Sequence, residues 1–410
     1  MSALPDGLVL RTARPSDLEQ IGQLLRDRGD EVDSWDHKLV VEDPAAGWES
    51  CAVVVDGEKV VATATHLDET VRIGTVTVPA GQVELVATHE DYEGRGLSRA
   101  LMGWAHERSA SLGHLVQVMI GIPYFYRLFG YEYAIDIPPA REVVDLPEKL
   151  DLGPDGDSPY SFASFEEGDV AELMAMQEVA QAPYDIAVPH PAARWRWLAE
   201  SPAGTFRELV RGEEIVGSCR SMASEDSVVV TEALAVDEEA AEALLRAIVW
   251  SSAGEKLSVV HRALTIPGKV WEPRLGPASE YSEQYYVRIP ALAPLLDALR
   301  PELERRLAAA GIDRAGKEIV ISSFGSHVRI PVADDGSLGP AQTGGRLPWP
   351  ASVGGAGVAP DQLGPLLFGP LGMNGLARRR PDVYLGPDEE LFEALFPPQT
   401  ADVLSYYQPW

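Results

Sequence analysis

One stretch constrains the fold of this chain more than any other, because two glycines join a strand-like pattern to a helix-like one. The stretch Val83–Gly103 reads VELVATHEDYEGRGLSRALMG. Residues 83–88 alternate with a period of two, which is typical of a strand with one face on a core. Leu97, Ala100, Leu101 and Trp104 then recur at helical spacing. The stretch therefore predicts a strand, a glycine-bearing loop and a helix.

The loop is suited to an anion. Gly94 and Gly96 lack a Cβ, so the backbone can turn sharply and bring successive N–H groups together. The helix that follows adds the positive end of its dipole. We expect a phosphate-bearing ligand here; an ordinary tight turn between a strand and a helix is the alternative. A Rossmann site is excluded because Arg99 stands where its third glycine belongs, and no Gly-Lys-Ser or Gly-Lys-Thr marks a P-loop.

A second segment about one helix downstream gives the loop a specific meaning. It runs from Gly121 to Ala134 and reads GIPYFYRLFGYEYA. Together the two segments resemble the Gcn5-related N-acetyltransferase (GNAT) family, which binds acetyl coenzyme A. In that family the loop pattern is Gln/Arg-x-x-Gly-x-Gly/Ala, and its backbone amides hold the pyrophosphate. Here Glu93 replaces the basic residue and Ser98 the final small residue.

The resemblance implies a cofactor site along the strand and the loop. The preceding strand would pair with the pantetheine arm, and Arg95 and Arg99 would supply the missing positive charge. Glu93 would repel the pyrophosphate if it pointed inward, so we expect it to face solvent. The predicted acetyl coenzyme A residues are Leu85, Val86, Ala87, Thr88, Glu93, Gly94, Arg95, Gly96, Leu97, Ser98 and Arg99.

The organisation of the whole chain extends the resemblance. Residues 1–145 read as strand, helix, hairpin, glycine loop and helix, and residues 146–290 repeat this plan with Asp237, Glu238 and Glu239 where the glycines stood. Carboxylates at that place would repel a pyrophosphate, so the second copy is predicted to be degenerate. Residues 291–410 resemble a sterol-carrier-protein-like α+β domain. The predicted class is α/β (α+β), with two GNAT-type folds in tandem followed by that domain.

This architecture is similar to the enhanced intracellular survival (Eis) family of multi-site aminoglycoside acetyltransferases, and the resemblance covers the whole chain. It implies a homohexamer, a general acid at Tyr126, and a general base formed by the terminal carboxylate, here that of Trp410. Many GNAT enzymes instead place a catalytic glutamate on the strand before the loop, where this chain has Glu84. Both bases stay open, and Tyr126 as a packing aromatic is the alternative to its acid role.

Length and charge bound the partners. A chain of 410 residues exceeds one domain, and its formal net charge of −29 argues against nucleic acid and anionic membrane surfaces. The same charge suits a cationic small molecule or a lysine peptide, although solubility alone also explains it. No apolar run is long enough for a membrane span, so a cytoplasmic protein is expected. No histidine and acid cluster has metal spacing, and no metal is expected.

The acceptor site is predicted from an acidic stretch and the aromatic segment. Trp35 forms a candidate wall for a cation, with Asp27, Glu31 and Asp33 nearby in sequence. The predicted substrate residues are Asp27, Trp35, Glu84 and Tyr124; a solvated acidic loop with one buried tryptophan is the alternative. The sequence thus predicts acetyl-CoA-dependent acetylation of an amine. An acetyltransferase of protein lysines or N-termini and a noncatalytic, lipid-binding scaffold with GNAT folds remain the other hypotheses.

Overall fold

The chain is described by a computed structural model that covers residues 4–5, 7–152, 158–224, 226–252, 254–278 and 283–403. The strands are β1 (Leu8–Thr12), β2 (Cys51–Asp56), β3 (Lys59–Ile73), β4 (Val76–Thr88), β5 (Val116–Met119), β6 (Glu132–Asp136), β7 (Ala140–Glu142), β8 (Tyr160–Ala163), β9 (Ile186–Ala187), β10 (Thr205–Arg211), β11 (Glu214–Ala223), β12 (Ser227–Ala235), β13 (Lys256–Val260), β14 (Gln284–Arg288), β15 (Glu318–Ser322), β16 (His327–Pro331), β17 (Gln342–Gly344), β18 (Ala356–Val358), β19 (Val383–Tyr384) and β20 (Ala401–Asp402).

The helices lie between and around these strands. They are α1 (Leu18–Arg28), α2 (Glu31–Glu42), α3 (Leu97–Ser111), α4 (Val170–Gln181), α5 (Ala192–Glu200), α6 (Glu238–Ser251), α7 (Ile266–Trp271), α8 (Leu292–Ala298), α9 (Arg300–Ala310), α10 (Leu363–Phe368), α11 (Gly372–Arg379) and α12 (Glu389–Leu395). In the part of the chain that the structure describes, none of them is both long and apolar enough to cross a membrane.

The first sheet contains a cleft between two of its strands, and the glycine loop borders that cleft. Its order is β1-β2-β3-β4-β5-β14-β6, with β9 and β20 attached beside β3. The parallel ladder between β4 and β5 runs from the pair Ala80 and Val116 to the pair Gln82 and Val118, and ends there. Beyond that rung the carboxyl ends of the two strands separate. Their backbones leave room between them for an extended ligand.

A bulge marks the part of β4 that borders this cleft. The pairing with β3 passes from Thr63 with Ala87 to Thr65 with Glu84, so Leu85 and Val86 together face a single residue of β3. Leu85 has φ of 53°, a left-handed conformation that is strained for a side chain of its size. Bulges of this kind re-aim side chains and backbone groups beside functional sites.

The second sheet, β7-β13-β12-β11-β10-β8, exchanges strands with the first. β7 lies before residue 145 but pairs with β13, whereas β14 lies after residue 283 but fits between β5 and β6. One strand thus crosses from one sheet to the other near each of the predicted domain limits, 145 and 290. The limits themselves remain predictions. Within the second sheet, β12 runs into α6, as the repeated plan predicts.

The third sheet has the order β17-β16-β15-β18-β19 and shares a core with the first sheet. Buried side chains of Val71 and Tyr285 belong to the same apolar cluster as Leu295 of α8, Ile319 of β15 and Phe392 of α12. The mixed α/β class predicted from the sequence is confirmed. The likeness of the third segment to sterol carrier proteins and the homohexamer remain predictions.

The C-terminal strand is fixed to the second segment by a buried ion pair. Asp402 in β20 accepts hydrogen bonds from Arg262 Nε at 2.7 Å and Nη2 at 2.6 Å, and both side chains are almost fully buried. β20 also pairs with β9, which pairs with β3 of the first sheet. Residues 401–403 are therefore anchored close to the long hairpin of β3 and β4.

Candidate functional site

A cavity of about 480 Å³ lies where the glycine loop meets the separated strands, and we call it the loop cavity. Its lining residues are Arg28, Val86, Ala87, Thr88, Tyr92, Glu93, Gly94, Gly96, Leu97, Ser98, Arg99, Ile122, Phe125, Tyr126, Leu128 and Phe129. Gly94 has φ of 72° and Gly96 has φ of 80°, values that favour glycine because a Cβ would be strained there. The loop therefore depends on both glycines for its turn.

The N-terminus of α3 is open toward this cavity. Its N-cap is Gly96, which has no side chain that could accept hydrogen bonds from the first N–H groups. The corresponding helix of the second sheet, α6, is capped instead by Asp237, whose carboxylate accepts from Ala240 N at 2.7 Å. An uncapped helix terminus leaves N–H donors and a positive dipole end for an anionic ligand. The contrast supports anion binding at α3 and disfavours it at α6.

The charged residues of the loop are arranged differently from the sequence expectation. Glu93 is exposed, but it also lines the loop cavity and forms an ion pair with Arg28 at the end of α1. Arg95 donates to the Asp91 carbonyl at 2.7 Å and does not line the loop cavity. Arg99 does line it. Arg28 also lines the cavity and offsets the charge of Glu93 there, a contact that the sequence analysis did not predict.

A second cavity of about 310 Å³, the strand cavity, continues the groove past the strand β4. It is lined by Leu25, Arg28, Gly29, Asp33, Val83, Glu84, Leu85, Val86, Ala87, Ile120, Gly121, Ile122 and Tyr126. Residues common to both cavities are Arg28, Val86, Ala87, Ile122 and Tyr126. The two cavities thus meet at Tyr126 and form one groove. Leu85, predicted to contact the coenzyme, lies on the strand cavity alone.

Glu84 is the carboxylate at the inner wall of the strand cavity. Its side chain is buried, with 6% of the residue exposed, and it accepts a hydrogen bond from Gln82 Nε2. Burial raises the pKa of Glu84 to about 8, against the opposing effects of the Gln82 hydrogen bond and of Arg194. A carboxyl with this pKa exchanges protons near neutral pH, which is the range a general acid or base needs.

Tyr126 stands where the two cavities join. Tyr126 is the second residue of the 3₁₀ turn Phe125–Phe129, and only 5% of the residue is exposed. Burial, followed by the charge of Glu84, raises the pKa of the Tyr126 hydroxyl well above its usual range. The hydroxyl therefore stays protonated and able to donate. Gly121 allows this position, because a Cβ there would lie 2.1 Å from Tyr126 Cε2.

The other predicted substrate residues lie outside the strand cavity. Asp27 borders a separate, smaller cavity and accepts from Gln23 Nε2 at 2.7 Å. Trp35 is 43% exposed and faces Lys38, and Tyr124 is 64% exposed. Trp410 lies outside the described residues. Asp33, from the same acidic stretch as Trp35, does line the strand cavity.

Asp33 adds a second acid to this cavity. Burial and the neighbouring Asp30 raise its pKa to about 6. Gln82 and Gly121 also act on the site, through Glu84 and Tyr126, and neither follows from motif spacing. Within the described ranges, no group of three or more potential ligands could hold a metal ion.

Comparisons with known proteins agree with this geometry. Residues 10–134 match the family model described as an acetyltransferase (GNAT) domain. A GCN5-related N-acetyltransferase from Anabaena variabilis aligns with a TM-score of 0.70 at 13% identity, over 98% of this chain and 100% of that one. One from Kribbella flavida aligns at 0.63 and 19% identity over 98% of each chain.

Eis1 from Mycobacterium abscessus aligns with a TM-score of 0.60 at 14% identity, over 98% of this chain and 100% of that one. At these identities the likeness establishes the fold. No curated protein matches the sequence.

Proposed function

Since residues 10–134 form a GNAT acetyltransferase domain, we propose that the protein transfers acetyl from acetyl coenzyme A directly to a primary amine of a cationic small molecule, such as an aminoglycoside or a polyamine. The resemblance to GNAT proteins predicted from the sequence is confirmed for this domain, and the predicted resemblance to the Eis family is confirmed as a likeness of fold to Eis1. The observation that carries the proposal is the continuous groove that runs from the uncapped terminus of α3, past Tyr126, to Glu84.

The loop cavity suits the coenzyme. N–H donors at the start of α3 suit a pyrophosphate, and Arg99 brings positive charge to the same cavity, where the charge of Glu93 is offset by Arg28. Residues 86–88 of β4 line the cavity beyond its last rung with β5, so their backbone is available to pair with an extended pantetheine arm. In this orientation the thioester would lie beside Tyr126.

The proposed reaction conserves atoms and charge. The acceptor enters as an ammonium group with a pKa near ~10.4, and a base must remove one proton before its nitrogen has a lone pair. The amine attacks the thioester carbonyl, the carbon–sulfur bond breaks, and Tyr126 gives its proton to the leaving thiolate. The base releases the first proton to solvent. It then takes the second proton from the nitrogen of the new amide and passes it to Tyr126. Overall, one proton reaches solvent.

Two groups remain candidates for the base. Glu84 is supported by its burial at the acceptor side of Tyr126 and by a pKa of about 8. The α-carboxylate of Trp410 is supported by the family resemblance. Removing Glu84 by Glu84→Gln and blocking the carboxylate by one alanine added after Trp410 distinguishes them. The modification that abolishes turnover while coenzyme binding persists identifies the base.

The proposed acceptor class is supported by charge. Asp33 and Glu84 line the strand cavity, and the whole chain carries a formal net charge of −29. Carboxylates in a half-enclosed cavity favour an amine that carries several positive charges, and the net charge attracts it from a distance. Asp27, Trp35 and Tyr124 remain proposed contacts for the more distant parts of such a molecule.

The proposal is tested in two steps with the full chain. Calorimetric titration with acetyl coenzyme A is expected to show binding, and a chain that binds none at millimolar concentration would support the scaffold hypothesis instead. Thiol release is then measured with aminoglycosides, polyamines and lysine peptides. Turnover with the small polycations, and little with peptides, is expected; the reverse order would favour a protein lysine acetyltransferase.

A further inference from the structure

Two tyrosines lie behind the turn that carries Tyr126. Tyr133 of β6 and Tyr286 of β14 are cross-strand partners, so both side chains project from the same face of the sheet. Their rings stack with centroids 4.1 Å apart, and their hydroxyl oxygens form a hydrogen bond of 2.6 Å. We call these two residues the tyrosine pair. Neither of them lines the loop cavity or the strand cavity.

A bulge in β6 brings the two tyrosines together. Tyr285 pairs with Ile135, but the next pair is Tyr286 with Tyr133, so the pairing skips Ala134. In a regular antiparallel register Tyr286 would face Ala134 instead. Bulges of this kind change the direction of side chains beside functional sites. The contact between the two hydroxyls therefore depends on this register shift.

The tyrosine pair contacts the backbone just before Tyr126 at two points. The Tyr124 N–H donates to the Tyr133 hydroxyl oxygen at 3.2 Å. The Tyr286 hydroxyl donates to the Ile122 carbonyl oxygen at 3.3 Å. A tyrosine hydroxyl donates one hydrogen bond and also accepts, so a single network joins β6 and β14 to this segment. Both contacts fall within four residues of Tyr126 along the chain.

The backbone at Tyr124 has a conformation that needs such contacts. Its φ is 70° and its ψ is −34°, values that are unfavourable for a residue with a Cβ. Strained residues persist only where the surrounding structure fixes them, and they cluster at functional sites. Tyr124 is also the N-cap of the 3₁₀ turn Phe125–Phe129, and its carbonyl accepts from Arg127 N at 3.1 Å. A relaxation of Tyr124 would therefore move the turn, and Tyr126 with it.

The ring of Tyr126 is in contact with the tyrosine pair as well. Its centroid lies 5.9 Å from that of Tyr286, with an angle of 65° between the two planes. Both rings belong to one buried apolar cluster. The far end of the turn is fixed independently, because Arg127 Nη2 forms an ion pair with Glu132 at 2.6 Å. Loss of a hydroxyl from the pair should then shift Tyr126 without unfolding the turn.

We propose that Tyr133 and Tyr286 are positioning residues for acetyl transfer: their hydrogen-bonded hydroxyls fix residues 122–124 and thereby place the Tyr126 hydroxyl where it can protonate the leaving thiolate. The inference rests on the proposed function, with Tyr126 as the general acid. In this role neither tyrosine of the pair exchanges a proton with the substrates. Tyr286 belongs to the strand that returns to the first sheet after the second segment, so the placement of the acid depends on that return.

The first test removes each hydroxyl and keeps each ring. Tyr133→Phe and Tyr286→Phe are each expected to lower kcat for thiol release about tenfold, because a catalytic group displaced by ~1 Å loses up to ~10²-fold in rate. Acetyl coenzyme A should bind both variants as tightly as the wild type in calorimetry, since the pair lines neither cavity. The two hydroxyls act in one network, so the double variant should lose little more than either single variant.

Tyr160→Phe is the matched control. It removes a hydroxyl that donates to Glu239 at 2.8 Å in the second segment, and it should keep the kcat of the wild type. Denaturation in urea checks that every variant is folded. Wild-type kcat in both Tyr133→Phe and Tyr286→Phe would overturn the proposal.

The second test asks whether the tyrosine pair acts through Tyr126. Tyr126→Phe has no phenolic proton to give, so adding Tyr286→Phe to it should change kcat less than about twofold. A general loss of structure would instead lower kcat about tenfold in both backgrounds. An equal loss with and without the Tyr126 hydroxyl would therefore contradict the positioning role.

A measurement without turnover separates this inference from the proposed function. Hydrogen exchange of residues 121–131, followed by mass spectrometry, should be several-fold faster in both single variants, because the Tyr124 N–H and its neighbours lose their anchor. Exchange of β5 should stay the same. Absence of acetyl transfer in the wild type would refute the proposed function alone, whereas unchanged exchange of residues 121–131 in both variants would refute the role of the tyrosine pair alone.

Discussion

The contact between Gly121 and Tyr126 yields the sharpest prediction for the reaction. A Cβ on residue 121 would lie 2.1 Å from Tyr126 Cε2 and 2.7 Å from Cδ2. Carbon atoms in contact stay ~3.5 Å or more apart, so Gly121→Ala must displace the ring by about 1.4 Å. A 1 Å misplacement of a catalytic group costs ~10²-fold in rate. We expect kcat to fall by about that factor.

The assay combines thiol release with calorimetry. Acetyl coenzyme A should bind Gly121→Ala almost as it binds the wild type, because the glycine loop is untouched. Gly103→Ala in α3 is the matched control, since a Cβ there meets nothing within 4 Å. It should keep kcat and stabilise the helix by ~0.5–1 kcal/mol. Wild-type kcat in Gly121→Ala would contradict the placement of Tyr126 in the reaction.

Four further single substitutions test the site and the fold. Tyr126→Phe should lower kcat by ~10²-fold without weakening coenzyme binding, as measured by single-turnover kinetics and calorimetry. Glu93→Gln should lower the KM for acetyl coenzyme A about twofold to fivefold, and Arg28→Gln should raise it similarly, with both effects shrinking in high salt. Asp402→Asn should reduce the free energy of unfolding in urea by ~3–5 kcal/mol, because Arg262 becomes a buried unpaired charge, and replacing both by apolar residues should restore most of it.

Local sequence patterns were sufficient to predict the strand, the glycine loop and the helix that follows it. Alternation along β4, two glycines and a helical period are features of neighbouring residues, and the structure has each element where the pattern predicts it. The comparison between Gly96 and Asp237 was also local, since an aspartate at an N-cap satisfies the donors that a glycine leaves open. Such features depend on backbone sterics and capping, which act within a few residues.

Contacts between distant residues could not be predicted in the same way. Arg28 is remote in sequence from Glu93, and its pairing depends on how α1 packs across the cleft. Arg95 was predicted from its position to supply charge to the pyrophosphate, yet its guanidinium contacts the Asp91 carbonyl and the Tyr92 ring. The strained φ of Leu85 accompanies a register shift between β3 and β4, and no residue type on β4 predicts that shift.

The exchange of strands between the two sheets is another contact between distant residues. β14 fills the place between β5 and β6, and its Tyr285, Tyr286 and Val287 are buried there. A chain truncated anywhere from 143 to 283 would lack β14. The facing edges of β5 and β6 would then have unpaired backbone hydrogen-bonding groups, which lowers the stability of a buried sheet. The segment with the coenzyme loop therefore cannot complete its own sheet.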